Sequence, residues 1–92
     1  MKSEQAMVVA LQALEWLARD EFRLGAFLAQ GGMAATDLAA NAADPEFLAA
    51  LVDFILADEP SVIAFARDMG FSPEILLQCR AGLPGGQLPH WT

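Results

Sequence analysis

The feature that most constrains this chain is its punctuation: residue groups that start and stop helices recur along its length, at intervals too short for long helices. Asp44-Pro45-Glu46 supplies a capping carboxylate, a proline at the first helical position and an acid in the first turn. Asp58-Glu59-Pro60 and Ser72-Pro73-Glu74 repeat that kind of start, while Ser3 and Asp20 stand as single caps ahead of two earlier segments. Gly31-Gly32, Gly70 and Pro84 supply stops. Between these marks the apolar residues recur at helical spacing. Residues 3 to about 19 present Met7, Ala10, Leu11, Leu14, Leu17 and Ala18 on one face, with Gln12, Glu15 and Arg19 opposite. The next segment, to about 30, buries Leu24, Phe27 and Leu28, and a short third one, about 35–42, carries Leu38. Residues 45 to about 57 are apolar nearly all round, with one wet strip of Glu46, Ala50, Asp53 and Ala57, which places that helix in the middle of the molecule. A fifth helix turns Val62, Phe65, Ala66 and Met69 inward, and a sixth turns Ile75, Leu76 and Cys79. Nothing alternates with period two. The expected fold is all-α: a compact bundle of five or six short helices over residues 1–83, with an extended Pro/Gly tail over 84–92 docked on it.

A shift of 38 residues lays the second half of the bundle on the first. Trp16-Leu17 falls on Phe54-Ile55, Asp20-Glu21 on Asp58-Glu59, Ala26-Phe27 on Ala64-Phe65, Gly32-Met33 on Gly70-Phe71, and Leu38 on Leu76. In both halves a glycine is followed by a large apolar residue, the pattern of a left-handed helix stop whose next side chain packs back on the helix it ended. Two three-helix halves meeting face to face would put Trp16 and Phe54 in equivalent places. One half is too small to be stable alone.

Charge narrows the function. Five Lys and Arg against 12 Asp and Glu leave a net −7, and the cations Lys2, Arg19, Arg23, Arg67 and Arg80 form no cluster. Nucleic acid and anionic membrane surfaces are therefore not expected partners. The most apolar run, residues 47–57, is too short to cross a bilayer, and Gln12 and Glu15 interrupt the apolar stretch near the start, which spoils it as an export signal. With one cysteine no internal disulfide forms, and a cytoplasmic setting is expected.

The inventory for catalysis is thin: one histidine, one cysteine and no tyrosine. Neither glycine pair has the strand before and helix after that a phosphate loop needs. Cys79 and His90 alone are too few for a thiolate–imidazole metal site, and the acids Asp58 and Glu59 stand where helix caps belong. Cys79 lies on the apolar face of its helix and is expected to be buried as a small hydrophobe. Asp53 is the single candidate for a buried carboxylate of raised pKa. No enzyme activity and no cofactor are expected. Gly25, inside a helix, costs about 1 kcal/mol against alanine and so predicts a compensating close helix approach or a partner groove. The tail carries Leu88 and Trp91 in a segment that cannot be helical. Leu88, His90, Trp91 and Thr92 are the candidate partner-binding residues.

The blocks Ala10-Leu11-Gln12-Ala13-Leu14 with Trp16-Leu17-Ala18, Ala43-Asp44-Pro45-Glu46-Phe47-Leu48 running on to Asp58-Glu59, and the closing Pro89-His90-Trp91-Thr92 resemble a family of small helical bacterial proteins. It is a domain-of-unknown-function family, chiefly alphaproteobacterial. The resemblance spans nearly the whole chain and implies an all-helical cytoplasmic protein. It brings no activity, cofactor or catalytic residue with it.

The apolar fraction, 55%, is high for so small a chain, so some of it must reach the surface. That predicts a non-enzymatic protein-interaction module, self-associating or binding an apolar or basic partner. The rival expectation is a carrier holding a small apolar molecule between helices, with Met7, Met33, Met69 and the phenylalanines as lining.

Overall fold

Every aspartate read as a helix start stands at one in the computed structural model, which describes residues 1–86. The helices are α1 (Ser3–Ala18), α2 (Glu21–Gly31), α3 (Asp37–Asn41), α4 (Pro45–Leu56), α5 (Glu59–Met69) and α6 (Ile75–Ala81), and no strand occurs among the described residues. Asp20 Oδ1 accepts the backbone N–H groups of Phe22 and Arg23 at 3.0 and 3.1 Å, and Asp44 Oδ1 accepts that of Glu46 at 3.0 Å. Both satisfy donors that the first helical turn leaves unpaired. Asp58 occupies the same position ahead of α5 but gives its carboxylate to the Ser61 hydroxyl instead. Ser3 is not a cap: the helix has already begun there, and Lys2 precedes it without a side-chain bond. The third proline start acts later than expected. Ser72, Pro73 and Glu74 form a turn in which the Ser72 carbonyl accepts the Ile75 N–H at 3.1 Å, and α6 begins at Ile75.

Both glycine stops take the left-handed conformation, Gly32 with φ 63° and Gly70 with φ 75°. The following N–H groups reach back to close the ends, Met33 to Leu28 O at 2.9 Å and Phe71 to Ala66 O at 2.8 Å. Phe71 also returns its ring to the helix it ended, 5.9 Å from Phe65.

The centre is made by α1, α4 and α6. Leu17, Leu48, Leu51, Val52, Ile55, Leu76 and Cys79 are fully buried there, and Phe65 joins them from α5. Six residues of α4 are buried, while Glu46, Ala50, Asp53 and Ala57 lie exposed as the one strip the sequence left for water. On α1 the buried stripe is rotated from the expected face. Ala6, Val9, Ala13 and Trp16 are inside, and Leu11 and Ala18 are out. The cause is that α1 is wedged between two helices. The alanines at 6, 10 and 13 let those helices approach, and the Cys79 thiol donates to Ala6 O at 3.2 Å.

The 38-residue shift carries α2 onto α5 end for end, and α3 and α6 begin 38 positions apart. Contacts exchange under the shift. Trp16 meets Phe65 edge to face, centroids 5.6 Å apart, and their counterparts Phe54 and Phe27 meet likewise at 5.3 Å. Arg23 Nε donates to Ser61 Oγ at 2.8 Å, and these two positions are each other's counterparts. A local two-fold axis therefore passes between them. It fails at the third helices: α6 buries Leu76 and Cys79 against α1 and α4, whereas α3 buries nothing and Leu38 is half-covered.

Gly25 contradicts the close approach predicted for it. It lies on the exposed side of α2, and a Cβ there meets nothing within 4 Å. Most of α2 faces water, with Phe27 its only fully buried residue, so no neighbouring helix crosses at that point. Two substitutions separate the roles of the glycines. Gly25→Ala should stabilise the protein by up to about 1 kcal/mol by removing backbone freedom from the unfolded chain. Gly70→Ala should destabilise it by about 1–2 kcal/mol, because alanine resists the left-handed conformation. Urea unfolding of the two variants beside the parent chain measures both.

Candidate functional site

Between α2 and α4 the surface opens into a groove of about 620 Å³. Its floor is aromatic. Phe27 sits edge-on between Phe47, at 5.8 Å, and Phe54, at 5.3 Å. Small residues form much of the walls, Ala26 and Gly31 on one side and Ala50 and Ala57 on the other, with Met33 and Gln30 completing them. Phe22 stands on the rim, 87% exposed. Val8, Ile63 and Leu77 are exposed too, as single apolar residues often are, but none of them lines this groove, whereas Phe22 does.

Three groove-lining residues, Arg23, Asp58 and Ser61, belong to a chain of hydrogen bonds. Arg23 Nη1 pairs with Asp20 Oδ2 at 2.7 Å, its Nε donates to Ser61 Oγ, and the Ser61 hydroxyl donates to Asp58. Ser61 is the only buried polar residue among those described, and this chain satisfies it. The guanidinium carbon of Arg23 also lies 5.0 Å from the centre of the Trp16 ring. The Arg23 backbone N–H, ahead of its guanidinium, holds the Asp20 carboxyl below its ordinary value of 3.8.

The same cleft is built a second time across the two-fold axis, with different side chains. Trp16, Arg19, Asp20, Arg23, Asp68 and Met69 line a space of about 480 Å³ between α1 and α5. Shifted by 38 and exchanged between halves, they correspond to Phe54, Ala57, Asp58, Ser61, Gln30 and Gly31, all of which line the α2–α4 groove. In the second cleft Trp16 Nε1 donates to Asp68 Oδ2 at 2.9 Å, bridging the walls. That indole N–H is the main reason the Asp68 carboxyl is held below its ordinary value. Where the charged cleft has Arg19, Arg23 and Met69, the groove has Ala57, Ser61 and Gly31. The smaller side chains leave the groove's aromatic floor uncovered, while Arg23 borders both spaces.

The residues singled out for chemistry are not brought together. Cys79 is buried as expected; burial pushes its thiol up to about 11, so it stays protonated at neutral pH. Asp53, the candidate buried carboxylate, is exposed and pairs with Arg80 Nε at 2.7 Å. Its place on the outward strip of α4 left it in water. Among the described residues no group of three His, Cys, Asp or Glu side chains stands close enough to hold a metal ion. Leu88, His90, Trp91 and Thr92 lie outside the described residues. Among the described residues no helix is long and apolar enough to cross a membrane.

Met33 and phenylalanines line the groove as the carrier expectation has them, but its place between α2 and α4 was not anticipated. Its signal was present in the repeat, where Arg19 aligns with Ala57 and Met69 with Gly31, and in a strip on α4 with two alanines where polar residues are usual.

A family model described as "Protein of unknown function (DUF3572)" matches residues 3–86. No curated protein and no solved structure matches the chain.

Asp68 gives the charged cleft a pH signature. Its pKa is depressed on folding, so its contribution is fully present above the ordinary value of 3.8 and is lost as pH falls through the lower folded value. Asp20 acts with the same sign. Stability should therefore drop as pH is lowered below about 4, and Asp68→Asn, which keeps an acceptor for Trp16 but does not titrate, should flatten part of that drop. Urea midpoints measured across that range test it; an unchanged slope in the variant would exclude Asp68 as a source.

Proposed function

The chain belongs to the DUF3572 family, and we propose that it is a non-enzymatic, cytoplasmic protein-interaction module whose α2–α4 groove receives apolar side chains from a partner. One observation carries the reading: of two equivalent clefts, one is crossed by an indole–carboxylate bond and has Arg19 and Met69 in its walls, while the other has Ala57 and Gly31 at those places and presents an aromatic floor and an exposed phenylalanine to solvent. Exposed apolar surface costs solubility, and its concentration at a concave site is what a recognition surface requires. Its volume of about 620 Å³ suits one or two large side chains, and Phe22 adds exposed apolar surface beside it.

Charge states the rest of the partner's chemistry. Asp53 and Asp58 line the groove, Glu21 adjoins Phe22 in sequence, and Arg23 is already engaged by Asp20. With a net charge of −7, the favoured segment presents Leu, Phe or Trp beside Lys or Arg. Chemistry of the chain's own has little support: its one thiol is buried and protonated, and the Asp53 carboxylate is paired in water.

The carrier reading draws on the same aromatic floor, because four of the six phenylalanines line this groove with Met33. Met7 and Met69 do not. A random peptide library selected on the protein discriminates the readings. Enriched peptides should pair a large apolar residue with a cation and bind the parent chain at least about tenfold more tightly than Ala57→Arg, which restores the side chain found at the equivalent place in the charged cleft. Arg19→Ala, in that other cleft, should leave binding unchanged. Selected peptides that bind Ala57→Arg as well as the parent would remove the groove from the interaction. No enrichment, together with a small apolar mass retained in native mass spectrometry, would favour the carrier.

A further inference from the structure

Resting on the reading of the groove as a binding surface, we propose that Asp58 is the residue that sets its specificity, and that the cation it selects on a partner is a guanidinium, held between the Asp58 carboxylate and the Phe54 ring. The ground is the other cleft, where the chain supplies such a group itself. There Arg23 pairs through Nη1 with Asp20 Oδ2 at 2.7 Å and holds its guanidinium carbon 5.0 Å from the centre of the Trp16 ring. Under the 38-residue shift Trp16 becomes Phe54, Asp20 becomes Asp58 and Arg23 becomes Ser61. The groove thus keeps the ring and the carboxylate, both among its lining residues, and has a serine where the arginine that joins them stands in the first half.

Asp58 is also released from the role its counterpart fills. Asp20 Oδ1 caps α2 through the N–H groups of Phe22 and Arg23. Pro60 stands at the position of Phe22 and has no N–H to offer, and Asp58 makes no side-chain cap bond to α5. Its carboxylate turns to the Ser61 hydroxyl instead, on an exposed residue. The charged residues lining the groove are Arg23, Asp53 and Asp58. Asp53 pairs with Arg80 and Arg23 with Asp20, so Asp58 is the one of the three with no ion pair among the described residues. Arg23 does not serve it, because its bond across the axis goes to Ser61. A guanidinium suits this carboxylate and ring better than an ammonium: its planar fork bonds a carboxylate along one edge while its face lies on an aromatic ring.

Three capped dipeptide amides test this by NMR titration of the full isotope-labelled chain: acetyl-Phe-Arg, acetyl-Phe-Lys and acetyl-Phe-citrulline, the last close to arginine in shape but uncharged. The arginine peptide should move the backbone amide signals of Phe54, Ala57 and Asp58. It should bind at least about threefold more tightly than the lysine peptide and about fivefold more tightly than the citrulline peptide. Asp58→Asn keeps an acceptor for Ser61 and removes the charge, and should bring the arginine and citrulline peptides within about twofold of each other. The Trp16 indole signal, in the cleft that already holds its own arginine, should stay in place throughout and reports that the variant is folded. The ranking of the three peptides on the parent chain needs no variant. Equal binding of all three at the groove overturns the proposal and leaves the groove reading standing, as does an arginine preference that survives in Asp58→Asn. No movement at the groove with the arginine peptide also overturns it, and the library selection then decides separately whether apolar side chains enter the groove.

Discussion

Neither half of this protein completes the surroundings of its own aromatic residue. Trp16 of the first half rests edge-on against Phe65 of the second, and Phe54 of the second rests against Phe27 of the first. Such pairs contribute about 0.5–1.5 kcal/mol each beyond the area they bury. More important is their connectivity: separating the halves uncovers both pairs at once, together with the buried leucines of α4 in the same core. The bonded Arg23 and Ser61 hold the crossing in register. The guanidinium is tied to Asp20 on its own half and the hydroxyl to Asp58 on its own. A buried serine left without that partner would carry an unsatisfied group, so the junction specifies how the halves meet as well as that they do.

From this crossing the rest of the architecture follows. Two helix pairs related by a two-fold axis necessarily form two like clefts. The chain has treated them in opposite ways. One is spanned by an indole–carboxylate bond and walled by Arg19 and Met69; the other has Ala57 and Gly31 there and shows its aromatic floor. The third helices break the symmetry further, with α6 filling the space against α1 and α4 and α3 remaining at the edge.

Much of this was legible in the residues. Aspartate, proline and glycine act on the backbone within a turn or two, so the starts at Asp20, Asp44 and Asp58 and the left-handed stops at Gly32 and Gly70 could be read locally. The buried face of α1 could not, because a helix between two neighbours buries a stripe wider than its large residues mark, taking in the alanines at 6, 10 and 13. Gly25 misled for a related reason: a glycine's cost in a helix need not be offset by contact at the same place. The groove was hardest to foresee because it is defined by side chains that are small. Ala57 and Gly31 become informative only beside Arg19 and Met69, once the exchange of contacts shows that these positions face the same kind of space.

The joining of the two halves in one polypeptide has a consequence of its own. Were each half a separate subunit of a homodimer, every substitution in one cleft would be inherited by the other, and a change that emptied one would empty both. Covalent linkage releases the clefts from that identity. The Trp16 side can keep the charges and the bridging bond that brace the crossing, whatever stands at the corresponding positions on the Phe54 side. A nearly repeated scaffold thereby presents two unlike sides, one braced by a bond across its walls and one open over an aromatic floor.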